Sequence, residues 1–408
     1  MALRLALVVP SLDQGGGVQA VARFVKDAAL RSGRYEPKLI SLCMSSRDST
    51  SLQITTPVTW LRGSSSRIGE WDGLPYTHVG ANFGEFEFQR YKPRKVLTRL
   101  LSDCDVVQVV CGCAAWANTV TGLGKPVALQ VATRAVVERR RRDAETTGLN
   151  GAWWRAMTIV TNRYDDKALQ SVDAIQVENP WMLDYASRIN TNRKVDLRFV
   201  PPGVNTQFFK PSGARVWQQD PYIICVGRLS DPRKNIGLLL EAYSILLLSI
   251  QTRARLVLVG ASGPGEKFWQ RAEVLNIRDR IIFHHLPSQD DLLVLYQKAA
   301  VFALPSDEEG LGVVILEAMS CGIPVVSTKS GGPDGIINSD VDGYLTPLDD
   351  AATMANRLEM LLTDVALNQR MGLAARAKAV RRYDEVITGN EFVNTWDRLI
   401  EMESLGYW

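Results

Sequence analysis

The sequence predicts an α/β chain of two domains of similar size, each a parallel sheet layered with helices. Three observations carry this. Short apolar runs, many of them rich in Val and Ile and without clean alternation, recur along the 408 residues, as in strands buried on both faces. Longer amphipathic stretches separate them, which is the spacing of βαβ units. The rhythm breaks once, at Phe199-Val-Pro-Pro-Gly-Val-Asn205, where two prolines and a glycine disfavour regular structure.

In the first half the expected strands are Leu5–Pro10, Lys38–Cys43, Val106–Val110, Val127–Val131 and Ala174–Val177. A fresh series follows the break: Tyr222–Val226, Arg255–Val259, Arg280–Phe283, Val301–Leu304 and Pro324–Ser327. Ligands of open parallel sheets bind beyond the carboxyl ends of the strands. Two such sheets facing across a cleft would therefore enclose a ligand between their strand ends. The stretch from Ser45 to Pro93 is rich in Ser, Gly and aromatic residues and reads as a long, less regular insertion. Near the end, Phe392 to Glu401 reads as an amphipathic helix.

Composition narrows the classes. Hydrophobic residues make up 46% and charged residues 22%, enough apolar material for two cores. A net charge of +3 gives no reason to expect a nucleic-acid partner. Most of the six cysteines lie in or beside apolar runs, none forms a C-x2-C pair, and there are three histidines. Buried reduced thiols are expected, and no metal cage. The opening Met-Ala-Leu-Arg-Leu-Ala-Leu-Val-Val-Pro reads as a first strand rather than a signal sequence, since glycines and a helical pattern follow it. With no apolar run long enough to span a bilayer, a cytoplasmic chain is expected, at most peripheral to the inner membrane face. Asp103-Cys-Asp105 and Asp340-Val-Asp342 have D-x-D spacing but fall outside the stretches that read as ligand-binding, so no metal is expected of them.

The richest stretch runs from Ala303 to Val326. A strand ending at Leu304 is followed by a loop with Glu309, Gly310 and Gly312, and a helix from about Val313 to Ser320. A glycine-bearing strand-to-helix turn brings backbone close to a ligand and aims the unpaired amides of the first turn at it. That arrangement favours phosphate. Glu309 would lie at the mouth of the loop, beside whatever the phosphate carries. Glu317, eight residues on, could accept both hydroxyls of a ribose. Arg228 and Lys234, in Gly227-Arg-Leu-Ser-Asp-Pro-Arg-Lys-Asn235, also follow a buried strand. They suit the charge on a leaving diphosphate, at roughly 4 kcal/mol per contact for a separation of about 4 Å and an effective dielectric of about 20. Near the start, Gly15-Gly16-Gly17 opens the first helix after the first strand, a second place where backbone can approach an anion or sugar.

These segments resemble family 4 of the retaining glycosyltransferases, part of the glycogen synthase and sucrose synthase superfamily, whose fold is GT-B. The carriers, in order, are the Gly15–Gly17 loop, FVPPGVNTQFFKP, VGRLSDPRKNI, FALPSDEEGLGVVILEAMSCGIPVV, GGPDGII and DGYLTP. The resemblance implies a hexosyltransferase that uses a nucleoside-diphosphate sugar, with no cofactor and no required metal. The acceptor would be a sugar, a glycan or a lipid-linked glycan. It implies that Arg228 and Lys234 hold the diphosphate, Glu317 the ribose, and the amides of Leu311, Gly312 and Val313 beside Gly310 the distal phosphate. Glu309, first of the E-x7-E pair, would contact the transferred sugar, so Glu309, Arg228 and Lys234 are the catalytic candidates. Gly16, with Gly17, would lie under the donor, and Leu286 after Phe283-His284-His285 would meet the base. Family members often carry a histidine near the reacting sugar where this chain has Ala132, followed by Thr133 and Arg134.

The implied domains are 1–204, which would bind the acceptor, 205–388, which would bind the nucleotide sugar, and 389–408, a helix crossing back to the first. Two other classes compete: an NAD-dependent oxidoreductase, and a non-catalytic nucleotide-sugar sensor. No strand is followed by G-x-G-x-x-G, which disfavours the first. Retention of Arg228, Lys234, Glu309 and Glu317 disfavours the second. Finally, Glu138-Arg-Arg-Arg-Arg142 ahead of Trp153-Trp154-Arg155 is a basic and aromatic combination suited to an anionic lipid surface or a phosphorylated acceptor.

Overall fold

A computed structural model describes residues 2–13, 16–45, 47–213, 217 and 219–405. The chain forms two compact units, one running to Pro202 and resuming at Thr388, the other from Gly203 to Ile387.

The first unit is built on an eight-stranded sheet: β1 (Leu3–Pro10), β2 (Tyr35–Leu42), β3 (Ser66–Trp71), β4 (Leu74–Val79), β5 (Val106–Cys113), β6 (Val127–Thr133), β7 (Ala174–Val177) and β8 (Asp196–Phe199). Their order across the sheet is β3-β4-β2-β1-β5-β6-β7-β8. Only β3 and β4 pair antiparallel. The second unit has six strands: β9 (Tyr222–Val226), β10 (Arg255–Gly260), β11 (Ile281–His285), β12 (Val301–Leu304), β13 (Val325–Thr328) and β14 (Gly343–Thr346). Their order, β11-β10-β9-β12-β13-β14, is the 3-2-1-4-5-6 of a dinucleotide-type fold. All pairs in it are parallel.

Each of the ten expected strands is present: β7, β9 and β12 have the expected ends, and the other seven differ by one to three residues at an end. They formed where Val, Ile and Leu fill both faces: every residue of β9, β12 and β13 is buried. Four more were not expected. Strands β8 and β14 are four residues long and carry no unbroken apolar run. The hairpin β3–β4 lies inside the stretch read as irregular, and that reading is corrected. Asp72 and Gly73, with φ of 52° and 77°, make its two-residue turn, the conformation for which Asp-Gly is the favoured pair. Arg23 Nε donates to Asp72 Oδ1 at 2.9 Å, and Lys26 also pairs with Asp72, so the turn is tied to the Gly17–Ser32 helix.

The last helix runs from Glu385 to Ser404. Its Phe392, Val393, Trp396 and Leu399 enter the core of the first unit with Leu5, Leu7, Val25 and Tyr35. Trp396 Nε1 donates to the buried Gln108 Oε1 at 2.8 Å. All six cysteines are buried, and none is in a disulfide. The two D-x-D pairs serve the framework. Asp103 takes Arg4 and Lys38 at 2.6 and 2.7 Å, and buried Asp342 takes buried Lys378 at 2.7 Å.

Candidate active site

In the second sheet β9 and β12 are neighbours although far apart in sequence. The connections leave them in opposite directions, so the loops after β9 and β12 open a crevice at the switch point of strand order, where ligands of such sheets bind.

The loop after β9 reaches that crevice because Gly260, at the end of β10, has no side chain. A Cβ there would sit 2.0 Å from the Gly227 carbonyl oxygen. Pro232 to Lys234 make a single 3-10 turn whose preceding Asp231 accepts from the Arg233 amide at 3.0 Å. Burial would raise the Asp231 carboxyl, but Arg233, with Arg228, holds it below its ordinary value. Asn235 takes a left-handed conformation, φ 41°, and starts the helix Ile236–Ser249.

Four contacts stitch this loop to the one after β12. The Asp307 amide donates to the Arg233 carbonyl at 2.8 Å. Asn235 Nδ2 donates to Asp307 Oδ1 at 2.6 Å. Arg233 pairs with Glu308 at 3.1 Å, and Lys234 Nζ with Glu309 Oε1 at 2.5 Å. Lys234 and Glu309 thus meet in a largely enclosed place, their side chains 17% and 9% exposed, while Arg228 stands half exposed and pairs with Asp231 at 3.3 Å.

Glu309 is fixed from three sides. The buried Ser306 hydroxyl donates to its Oε1 at 2.6 Å. Its amide donates to Ser330 O, and its carbonyl accepts from the Gly332 amide, both at 2.9 Å. Gly332 is required there, since a Cβ would fall 2.5 Å from Leu311 Cα.

Gly312, at φ 83°, turns the chain into the helix Val313–Ser320. No side chain caps that helix and no acidic side chain stands in its first turn. The amides of a first turn have no intrahelical acceptor, so Leu311, Gly312 and Val313 present an uncapped helix start to the crevice. Glu317 lies one turn further in. Its Oε2 accepts from the buried Tyr296 hydroxyl at 2.7 Å. Burial pushes its carboxyl up to about 7, against the pull of the Tyr296 hydrogen bond.

Leu286 follows β11 with φ 44°, and its side chain is 63% exposed. Its amide donates to the Gly260 carbonyl at 3.1 Å, which ties this loop to the same rim. Next to it His284, His285, Pro287 and Asp291 line part of a cavity of about 330 Å³. A larger cavity of about 540 Å³, around Leu247 and Asn276, contains none of these loop residues.

Arg228, Lys234, Leu286, Glu309, Gly310, Leu311, Gly312, Val313 and Glu317 therefore all stand on strand-end loops of one sheet or on the helix that follows them. Gly16 and Gly17 belong to the other unit, where they begin the Gly17–Ser32 helix. Gly15 lies outside the described residues. In the first unit, the Ala132 carbonyl at the end of β6 accepts from Asn179 Nδ2 at 2.7 Å. Arg134 pairs with Asp166 at 2.7 Å and stacks 3.8 Å from the Tyr185 ring.

Sequence reasoning passed over Ser306, Tyr296 and Gly332. Ser306 and Gly332 stood inside the quoted motifs, three residues before Glu309 and at the second position of GGPDGII. Tyr296 had no local signal, because only the fold brings it to Glu317.

The six-stranded sheet in this order, with an uncapped helix start and two cations at its switch point, is a Rossmann-like α/β unit. Residues 210–378 match the family model of glycosyl transferases group 1. That stretch is similar to the group 1 glycosyl transferases, and the fold of the chain is GT-B. The GDP-mannose-dependent alpha-(1-6)-phosphatidylinositol monomannoside mannosyltransferase of Mycolicibacterium smegmatis is 31% identical over 195 residues, 44% of this chain and 50% of that one. The N-acetyl-alpha-D-glucosaminyl L-malate synthase of Bacillus anthracis is 31% identical over 150 residues, 37% of this chain and 38% of that one. The matches span about half the length of these curated relatives or less. Among solved structures, the sucrose-phosphate synthase of Thermosynechococcus elongatus superposes with a TM-score of 0.69 over 98% of this chain and 99% of that chain, at 19% identity. That likeness is one of fold.

Proposed function

We propose that this chain is a retaining hexosyltransferase that moves a hexosyl group from a nucleoside-diphosphate sugar to an acceptor hydroxyl. The observation that carries the reading is the Lys234–Glu309 pair at 2.5 Å, set between Arg228 and an uncapped helix start. No strand here is followed by the G-x-G-x-x-G of a dinucleotide oxidoreductase, and a structural ion pair would not need the open amides beside it.

In this reading the diphosphate lies against Lys234 and Arg228, with its distal phosphate on the amides of Leu311 to Val313. The ribose hydroxyls donate to Glu317, and Leu286 offers its exposed apolar side chain to the base. Glu309 faces the hexose. As the bond from the anomeric carbon to the phosphate oxygen breaks, its electron pair stays on the diphosphate, whose charge grows. Lys234, Arg228 and the helix amides stabilise that charge where it develops. The acceptor hydroxyl oxygen forms the new bond on the face the leaving group has left, and its proton passes to the departing phosphate oxygen. The anomeric configuration is kept without a protein nucleophile. That mechanism needs no histidine at Ala132.

The relatives named above differ in the donors and acceptors their names state, so the base, the sugar and the acceptor are open to test. A thermal-shift series with UDP, GDP, ADP and NAD, on wild type and Lys234→Ala, addresses the donor. A nucleotide at about 100 times its dissociation constant adds about 2.7 kcal/mol to stability. One nucleoside diphosphate should stabilise the wild type and lose its effect in the variant. Stabilisation by NAD alone would overturn the reading.

A further inference from the structure

The long helix Gly148–Leu169 of the first unit is built the wrong way round for a helix on the surface of a water-soluble domain. Such a helix buries its apolar stripe and shows a charged face to water. Here the residues buried between Gly148 and Tyr164 are Gly151, Thr158 and Thr161, which are small or polar. The exposed ones include Leu149 at 91%, Ile159 at 57%, Trp153 at 50% and Trp154 at 39%. Ala152 and Ala156 are exposed beside them. Leu149, Trp153 and Ala156 recur at the spacing of one helical face, so this apolar surface is continuous.

The charge on the same surface is mainly positive. From Gly148 to Tyr164 the helix carries Arg155 and Arg163, both exposed, and no acidic residue. The preceding helix, Arg140–Glu145, is docked onto it. The Arg142 guanidinium lies 4.7 Å from the Trp154 ring, and Arg155 Nη1 donates to the carbonyls of Asp143 and Thr146, both at 3.2 Å. This adds exposed Arg140 and Arg141 to the patch. Arg141 pairs with Glu145 at 2.8 Å, but both side chains are well exposed, and such a pair is weak and screened. Arg139 is different: it is withdrawn into an ion pair with Glu87, each about 15% exposed, and belongs to the framework.

We propose that this face docks on an anionic lipid bilayer. Tryptophan and leucine suit the boundary between headgroups and acyl chains, and a surrounding ring of arginines suits phosphate headgroups. The charge pattern selects this occupant. A second copy of the chain would bring the same arginines against themselves, and an uncharged apolar partner would leave them unused. The inference is independent of the donor reading, since it concerns the first unit alone.

The test is co-sedimentation of the full chain with phosphatidylcholine vesicles, with and without added phosphatidylglycerol, at low and at physiological salt. The chain should sediment with the anionic vesicles, more strongly at low salt. A Leu149→Ser/Trp153→Ala double variant should lose about tenfold or more in affinity, and Arg140→Glu about fivefold, both with unchanged circular-dichroism melting. The proposal is overturned by failure to bind anionic vesicles at low salt, or by equal binding of wild type and both variants. It is also overturned if light scattering shows a dimer that the double variant converts to monomer, for the face would then belong to a second copy.

Discussion

The loops at the strand ends of the two sheets are made in different ways. In the second unit the loops after β9 and β12 are held together by charge: Arg233 with Glu308, Lys234 with Glu309, Asn235 with Asp307. In the first unit the ends of the neighbouring strands β5 and β6 are held by one buried carboxylate. Asp165 accepts from the Ala115 amide through Oδ1 and from the Ala135 amide through Oδ2, each at 2.8 Å. Burial drives its carboxyl up to about 7, although the Ala135 and Ala115 amides pull it down. The difference teaches where a mobile anion has a foothold. A loop closed by cation–carboxylate pairs can exchange a carboxylate for a phosphate, whereas one closed by backbone amides on a buried carboxylate has no charge to lend. A bound diphosphate would compete with Glu309 for Lys234, and substitutions in the two units should therefore fail in different ways.

The largest effect is expected at Lys234. Lys234→Ala should abolish stabilisation by the cognate nucleoside diphosphate and lower the rate of hexosyl transfer by about 10²–10³-fold, the usual cost of one donor to a developing anion. Glu309→Gln should lower transfer by about 10²-fold while leaving diphosphate binding intact or tighter, because Lys234 loses its competitor. Calorimetry with the free diphosphate, set beside a transfer assay, separates the two. Equal loss of binding in both variants would mean that Glu309 serves only to hold the loop.

Acidity gives the next effect, about tenfold per pH unit. Glu317 is raised to about 7 by burial, so in the empty site it is fully a carboxylate only above that pH. A ribose that donates to it requires the ionised form. Nucleotide affinity should therefore fall as pH is lowered through about 7, and Glu317→Gln should bind weakly with no such slope. The same shift has the opposite sign for the empty fold: a carboxyl raised from its ordinary value supports stability at low pH and loses that support as pH rises through about 7. A wild-type affinity that stays flat between pH 6 and 8, by the same calorimetry, would remove Glu317 from the ribose.

Much of this was legible in the sequence, for stated reasons. Buried parallel strands leave apolar runs, and all ten such runs became strands. The site residues of the second unit sit beside strand ends, so the position of a strand places its loop. The hairpin β3–β4 carried its signal in Asp72-Gly73, outweighed by the surrounding Ser and Gly. Tyr296 had no signal, because its partner Glu317 is 21 residues away and the contact depends on how two helices pack. The exposure of Leu149 and Trp153 could not be read from periodicity either, which shows where a stripe lies on a helix but not whether anything covers it.

Gly332 offers a smaller effect that sharpens the contrast. Its Cβ would meet the Leu311 backbone at 2.5 Å, and backbone cannot swing aside as a side chain can. Gly332→Ala should cost about 1–3 kcal/mol, seen as a lower melting temperature. Its influence on nucleotide binding should exceed its influence on stability, since Leu311 begins the amides proposed to face the phosphate. A variant that melts earlier yet binds as wild type would detach this loop from the donor.

Arg134 supplies the smallest effect and the clearest control. It stands beside Ala132, where family members often have a histidine, and a basic residue there invites a part in the reaction. Its surroundings argue otherwise. The guanidinium is 12% exposed, bonded to Asp166 and stacked on Tyr185, whose hydroxyl donates to the same Asp166 Oδ1 at 2.6 Å. Arg134→Lys keeps the charge and can keep the ion pair but gives up the planar stack, a loss of about 0.5–1 kcal/mol. The melting temperature should drop slightly, with the nucleotide-induced shift and the transfer rate unchanged. A fall in transfer without a change in melting would show that the first unit lends a cation to the reaction after all, and the division of labour drawn from the two sets of loops would no longer hold.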